Sequence, residues 1–164
     1  MKHPIGYTRN GVFVYVDLIR SQAATYIAQQ PRMLELVKKA LSKTDAEGTE
    51  VTVEHNMGRA IGYNFVVTTT DSDTTFYAQL VKDSAYTRFV KNGKPRTTQY
   101  LTVILKRNEQ NEYELHDTWL GRKRPPRPGT DSETAESLAF WENHAFILDN
   151  QPIQSRTITK TRPY

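Results

Sequence analysis

Four histidines, His3, His55, His116 and His144, are the side chains of this chain that exchange protons near neutral pH. His55 precedes a polar turn, Asn56-Met-Gly-Arg59. His144 sits in Phe140-Trp-Glu-Asn-His-Ala145. Cations gather elsewhere: Arg88, Lys91, Lys94 and Arg96 flank a Gly-Lys-Pro turn. From Lys82 to Arg107 there are seven basic residues and one acid. A second basic stretch, Gly121-Arg-Lys-Arg-Pro-Pro-Arg-Pro-Gly129, is held extended by its prolines. This inventory suits metal-free cleavage of RNA. A base takes the 2′-hydroxyl proton, an acid protonates the leaving 5′-oxygen, and cations stabilise the phosphorane. In that reading His55 or His144 is the general base or acid. Arg88 and Lys91, with Arg59, hold phosphate, and Thr102 donates a hydrogen bond. Lys94, Arg96, Arg122, Lys123, Arg124 and Arg127 contact the nucleic-acid strand.

Each group also has a structural reading. Charge runs are ordinarily solvated faces, and a histidine beside an apolar stripe is often a hydrogen-bonded residue at the core edge. Tyr86, Phe89 and Tyr100 interleave with the cations and could stack bases, but aromatics of this kind more often fill a core.

Several chemistries lack their residues. There is no cysteine among the 164 residues, which excludes disulfides, thiolate catalysis and cysteine-based zinc sites. Asp71 and Asp73 form a D-x-D inside an expected turn, without clustered partners. The P-loop, G-x-G-x-x-G, H-E-x-x-H and G-x-S-x-G patterns are missing. No metal site and no cofactor are therefore expected. No leader-like apolar segment and no long apolar run occur, so we expect a cytoplasmic chain without a membrane partner. The net charge of +4 favours an anionic partner, RNA above all.

The elements that would position these groups follow from periodicity. Gly11–Val16 reads as a short strand, with Asp17 capping a helix striped by Leu18, Ile19, Ala23, Tyr26 and Ile27. Pro31 opens a second helix carrying Met33, Leu36, Val37, Ala40 and Leu41. From residue 49 the pattern becomes strand-like: Thr49–His55, then Ile61–Thr70 paired with Thr74–Lys82 across an Asp-Ser-Asp turn. A second hairpin joins Thr97–Arg107 to Tyr113–Leu120. In it Leu101, Val103 and Leu105 face the core, Leu105 opposes Leu115, and Lys106 opposes Glu114. The same register sets His116 opposite Ile104 and Thr102 opposite Thr118. Thr130 and Glu133 have capping-box spacing, opening a helix that runs to about Ala145 and buries Leu138, Trp141 and Ala145. Phe146–Leu148 closes the sheet. The expected fold is α+β: N-terminal helices packed on one face of a four- to five-stranded antiparallel sheet, with one further C-terminal helix. A single domain is expected over residues 1–164, with a polar basic tail from about 151.

The stretches Ala60-Ile-Gly-Tyr63, Thr87-Arg-Phe-Val-Lys91, Leu101-Thr-Val-Ile-Leu-Lys106 and Ser137-Leu-Ala-Phe-Trp-Glu-Asn-His-Ala145 resemble a group of uncharacterised bacterial proteins. Phe-Trp-x-x-His-Ala is the most specific of these. The expected architecture is similar to small ribonuclease toxins of the barnase, EndoU, colicin D and RelE-like kind, an analogy at the level of fold. What it implies is a metal-independent endoribonuclease, with a cognate antitoxin or immunity protein as partner. Two alternatives stand beside it: a non-catalytic RNA- or DNA-binding module, and a protein-interaction factor whose basic loop docks an acidic protein.

Overall fold

Alternating apolar residues from Tyr100 to Arg107 build an inner strand of the larger sheet. The computed structural model describes residues 2–19, 27, 30–79, 85–148 and 158–164. Its elements are β1 (Lys2–Tyr7), β2 (Phe13–Asp17), α1 (Pro31–Leu41), β3 (Glu50–Asn56), β4 (Gly62–Asn64), β5 (Val66–Thr68), β6 (Thr75–Ala78) and β7 (Thr87–Val90). There follow β8 (Arg96–Thr98), β9 (Tyr100–Arg107), β10 (Tyr113–Leu120), α2 (Ala135–Asn143) and β11 (His144–Ile147). The chain divides into two compact units, Met1–Gly62 with Thr98–Lys123, and Tyr63–Thr97 with Arg124–Tyr164.

The first unit holds a five-stranded sheet in the order β1-β2-β10-β9-β3. β9 pairs antiparallel with both neighbours, whereas β2 and β10 run parallel. Leu101, Val103 and Leu105 of β9 are fully buried and share one core with Met33, Leu36, Val37, Ala40 and Leu41 of α1. Pro31 fits the first turn of α1 because its missing N–H has no intrahelical role there. The second unit holds a four-stranded sheet, β5-β11-β7-β6, in which β11 and β7 are parallel. β4 and β8 form a two-stranded ribbon. No helix among the described residues is long and apolar enough to cross a membrane.

The expected fold class is corrected in several ways. The fold is α+β but mostly sheet, with three sheets among the described residues, two of them mixed. Among the described residues a single N-terminal helix, α1, packs on a sheet, rather than several. Leu18 and Ile19, expected on a helix stripe, form a turn after Asp17 and are exposed; the Asp17 carboxylate accepts from Ile19 N–H at 2.9 Å. Ala23 and Tyr26 of that stripe lie outside the described residues. The hairpin expected between Ile61–Thr70 and Thr74–Lys82 does not form: β5 pairs with β11 and β6 with β7. The strand expected over Ile61–Thr70 breaks at Phe65, where the Asn64 side chain accepts from Val66 N–H.

Leu105 does oppose Leu115, and Lys106 opposes Glu114. A β-bulge between Leu115 and Asp117 then advances β10 by one residue, so Asp117 opposes Ile104, Thr118 opposes Val103 and Trp119 opposes Thr102. α2 also starts later than expected. Its cap is Thr134 with Ser137, while the Glu133 carboxylate accepts from Gly129 N–H instead. Trp141 is buried but Leu138 is exposed, and Ala145 is buried on β11 rather than on the helix. Leu105→Ala should therefore cost about 2–5 kcal/mol, while Leu138→Ala should stay within about 0.5 kcal/mol, both read from urea denaturation.

Candidate nucleic-acid interface

In the second unit, strand alternation sorts the cations. Thr87 and Phe89 of β7 project to one face, Arg88 and Val90 to the other. Phe76 of β6 and Phe146 of β11 both oppose Phe89 in register. The three rings form a row, with centroids 5.6 Å and 6.4 Å from that of Phe89. Trp141 of α2 stacks on Phe146 at 5.3 Å, and its indole N–H lies 3.2 Å from the carbonyls of Pro125 and Pro126. These contacts tie the proline-rich loop along the aromatic face. The loop sets the Arg124 guanidinium 4.9 Å from the Phe146 centroid, and Arg127 donates to Thr87 Oγ1. From the end of β7, Lys91 Nζ stands 5.8 Å from the Phe76 centroid. Lys91, Arg124 and Arg127 thus share one face, two of them over aromatic rings. An aromatic ring under a cation brings no counter-charge of its own, unlike a carboxylate. Lys94 and Arg96 are exposed after the turn at Asn92, whose φ of 60° is left-handed.

His144 belongs to the same face, two residues before Phe146. Its ring lies parallel to Phe140 at 3.8 Å, and Nδ1 is 2.8 Å from the Phe140 carbonyl. A carbonyl only accepts, so Nδ1 carries a proton and Nε2 of the neutral ring is the acceptor. Thr68 Oγ1 lies 3.4 Å from that Nε2. Arg88 is on the opposite face. Its guanidinium donates to Thr69 Oγ1 at 2.8 Å, to the His144 main-chain carbonyl at 3.0 Å and to Thr75 Oγ1 at 3.4 Å. Arg88 and Lys91, assigned together to one phosphate by the sequence, are therefore separated by the sheet.

The first unit holds the remaining candidates. His55 opposes Leu101 in the β3–β9 register, which turns it toward the helix-covered core. Thr44 Oγ1 donates to the Ala40 carbonyl at 2.8 Å, so His55 Nε2 donates to Thr44 Oγ1, also at 2.8 Å. The imidazole closes the end of α1 through that threonine. Burial, and then the charge of Lys43, hold it below the ordinary histidine value of 6.5. Arg59 is exposed in the turn after β3, where the Asn56 side chain accepts from Gly58 N–H. Thr102 is fully buried; its hydroxyl donates to the Gly121 carbonyl and its own carbonyl accepts from Thr118 Oγ1. His116 is exposed at the bulge.

Arg122 is held within the first unit. Its guanidinium donates to Glu54 Oε1 at 2.9 Å and 3.2 Å and lies 4.5 Å from the Tyr100 centroid. Glu54 Oε2 accepts from Lys123 N–H at 2.7 Å. The hydrogen bond from Arg122, followed by that from the Lys123 backbone, holds the Glu54 carboxyl below the usual carboxylate range, against some desolvation. Glu54 is an organising residue that sequence reasoning missed, and Trp141, expected as core, also anchors the proline-rich loop. Glu54 could have been found from its row, because alternation puts it beside Thr102 on the side of the sheet away from α1. The aromatics expected to stack bases are otherwise engaged: Phe89 is buried and Tyr100 lies under Arg122. Tyr86 is half-buried. Among the described residues no three His, Asp or Glu side chains gather to hold a metal ion.

The environment of His55 fixes the sign of a pH effect. Its folded value lies below its unfolded value, so the unfolded chain binds the proton more readily. This contribution is complete above 6.5 and is lost as pH falls from there through the depressed folded value. Melting temperatures recorded from about pH 8 to pH 5 should decline less steeply on the acid side in His55→Gln than in the wild type.

No protein-family model, no curated protein and no solved structure matches this chain, so the reading of its sites rests on its own residues.

Proposed function

We propose that this protein binds single-stranded nucleic acid, RNA foremost, through the aromatic face of its second unit, with Lys91, Arg124 and Arg127 contacting phosphates. The observation that carries this reading is the pair of cations set over the two ends of the aromatic row. Lys91 stands at one end of the Phe76–Phe89–Phe146 row and Arg124 at the other. Cations spread along one face can contact a phosphodiester backbone without reading sequence. The rings supply rigidity rather than base stacking, since Phe76 and Phe89 are buried. Lys94 and Arg96, exposed on the same unit, extend the positive potential. Arg122 contributes little, because Glu54 already balances it.

Cleavage of RNA by 2′-hydroxyl attack is the second reading, and His144 is the observation that favours it. The imidazole shares the face of Lys91 and Arg124, with Nε2 as its accepting nitrogen. The reaction also needs a second proton-transfer group at the same phosphate. His55 faces the core of the other unit and is committed to Thr44. Binding without turnover is therefore the function the geometry supports best.

Binding to a short single-stranded RNA should weaken with salt, and the slope of log K against log salt counts the phosphates neutralised. Replacing Lys91, Arg124 and Arg127 together by Gln should make that slope shallower by about 2, while Arg122→Gln leaves it nearly unchanged. An unaltered slope in the triple variant would refute this interface. RNA incubated in excess chelator should stay intact; cleavage that disappears in His144→Ala would make the same face an active site.

A further inference from the structure

Arg88 is a half-buried cation whose partners are all neutral. It donates to two threonine hydroxyls and one main-chain carbonyl, and no carboxylate among the described residues pairs with it. Asp73, the acid of the neighbouring turn, is engaged by Thr70, accepting from its N–H at 2.7 Å and from its hydroxyl at 3.4 Å. Withdrawing a guanidinium from water among dipoles alone is unfavourable unless an anion joins it.

The surroundings are donors. Thr69 Oγ1 and Thr75 Oγ1 each accept from Arg88, which leaves each hydroxyl proton free to be donated onward, strengthened by the adjacent charge. Tyr77 opposes Arg88 in the β6–β7 register. The ring of Tyr164 meets that of Tyr77 edge-on at 5.9 Å. Two anchors hold the terminal segment there. Thr159 exchanges backbone hydrogen bonds of 2.7 Å and 2.8 Å with Tyr77, and Arg162 pairs with Glu142 of α2 at 3.1 Å. Burial first, then Tyr77, pushes the Tyr164 phenol up to about 12, with Arg162 and Arg88 pulling the other way. The phenol therefore stays neutral at physiological pH.

We propose that Arg88, with the hydroxyls of Thr69, Thr75, Tyr77 and Tyr164, forms a binding site for an oxyanion, the carboxylate or phosphate group of a small ligand. The planar fork of arginine matches two oxygens of either group, the threonine hydroxyls add donors, and the hydrogen-bonded phenol pair of Tyr77 and Tyr164 has one proton left to give. Segment 158–164 forms one wall of this site through Tyr164. Because Arg88 and Lys91 project from opposite faces of the sheet, the site is separate from the nucleic-acid interface and does not depend on it.

The test is titration of the full chain, followed by amide and guanidinium NMR signals, with inorganic phosphate, with acetate, and with sodium chloride at matched ionic strength. At least one of the two oxyanions should give saturable shifts at Arg88, Thr69 and Thr75 that chloride does not give, and the one that does identifies the ligand chemistry. Arg88→Lys keeps the charge but loses the fork, and should bind about tenfold more weakly. Should that variant fail to fold, Thr75→Val, which removes one donor and keeps the shape, carries the same expectation. The variant with Lys91, Arg124 and Arg127 changed to Gln should retain the shifts. Absence of saturation with both oxyanions, unchanged affinity in the folded variant, or loss of binding in the triple variant would each overturn the proposal.

Discussion

A strand sends successive side chains to opposite sides of its sheet, and the assignment of roles in this protein depends on that constraint more than on any single contact. In β9 it turns Leu101, Val103 and Leu105 toward α1 and leaves Tyr100, Ile104 and Lys106 on the other side. In β3 the same rule carries His55 inward with Leu101 and Glu54 outward with Thr102. In β7 it separates Arg88 from Phe89 and so from the cations that ride over the aromatic row. Residues adjacent in a basic run are thus divided between two surfaces. A cluster of charge in the sequence becomes a cluster in space only where a loop, such as the one from Arg124 to Pro128, brings the pieces to one side.

Both units bury hydroxyls among their apolar side chains, which reconciles a mean hydropathy of −0.66 with packed interiors. Thr8, Thr44, Thr69, Thr87, Thr102, Thr118 and Ser137 are all buried. A buried hydroxyl is tolerable only when bonded, and among the described residues no buried side-chain nitrogen or oxygen lacks a partner. Several of these bonds fasten elements together. Thr44 links α1 to His55, Thr102 reaches Gly121, and Thr118 returns to the carbonyl of Thr102. The hydroxyl of Thr102 is therefore part of the scaffold, which explains why a polar residue sits at the centre of β9.

Local patterns were legible and long-range pairings were not. The β9–β10 hairpin and the Leu105–Leu115 register followed from apolar alternation, because a one-residue slip there would expose the leucines. The bulge at His116 left no mark, since Leu-His-Asp-Thr reads equally well as continuous strand. Parallel pairing of β2 with β10 and of β11 with β7 joins residues far apart in sequence, and alternation carries no information about such partners. The turn at Asp71–Asp73 suggested a hairpin because turn chemistry is local, yet β5 found β11 instead. Two capping signals overlapped before α2. Thr134 prevailed, with Glu133 drawn back to Gly129. For the candidate sites, residue types were legible but surroundings were not: no spacing announces that His55 answers to Thr44 or that Arg122 answers to Glu54.

Three ways in which cations are held among the described residues differ in what they leave for a partner. An ion pair such as Arg122–Glu54 cancels the charge seen at a distance, so a phosphate approaching that loop meets little net potential. A cation resting on an aromatic face keeps nearly its full charge, because the ring contributes a quadrupole and no counter-charge. A guanidinium bonded to hydroxyls and carbonyls also keeps its charge, but it is partly desolvated, so an anion that reaches it meets weaker screening. Net charge counts the three alike. Physically, the first stabilises the fold, the second suits an extended polyanion that touches several sites at once, and the third suits a small anion that can enter between side chains. The division between Lys91 on one face and Arg88 on the other follows this distinction, and it is the reason the two faces of one small sheet are assigned ligands of different size.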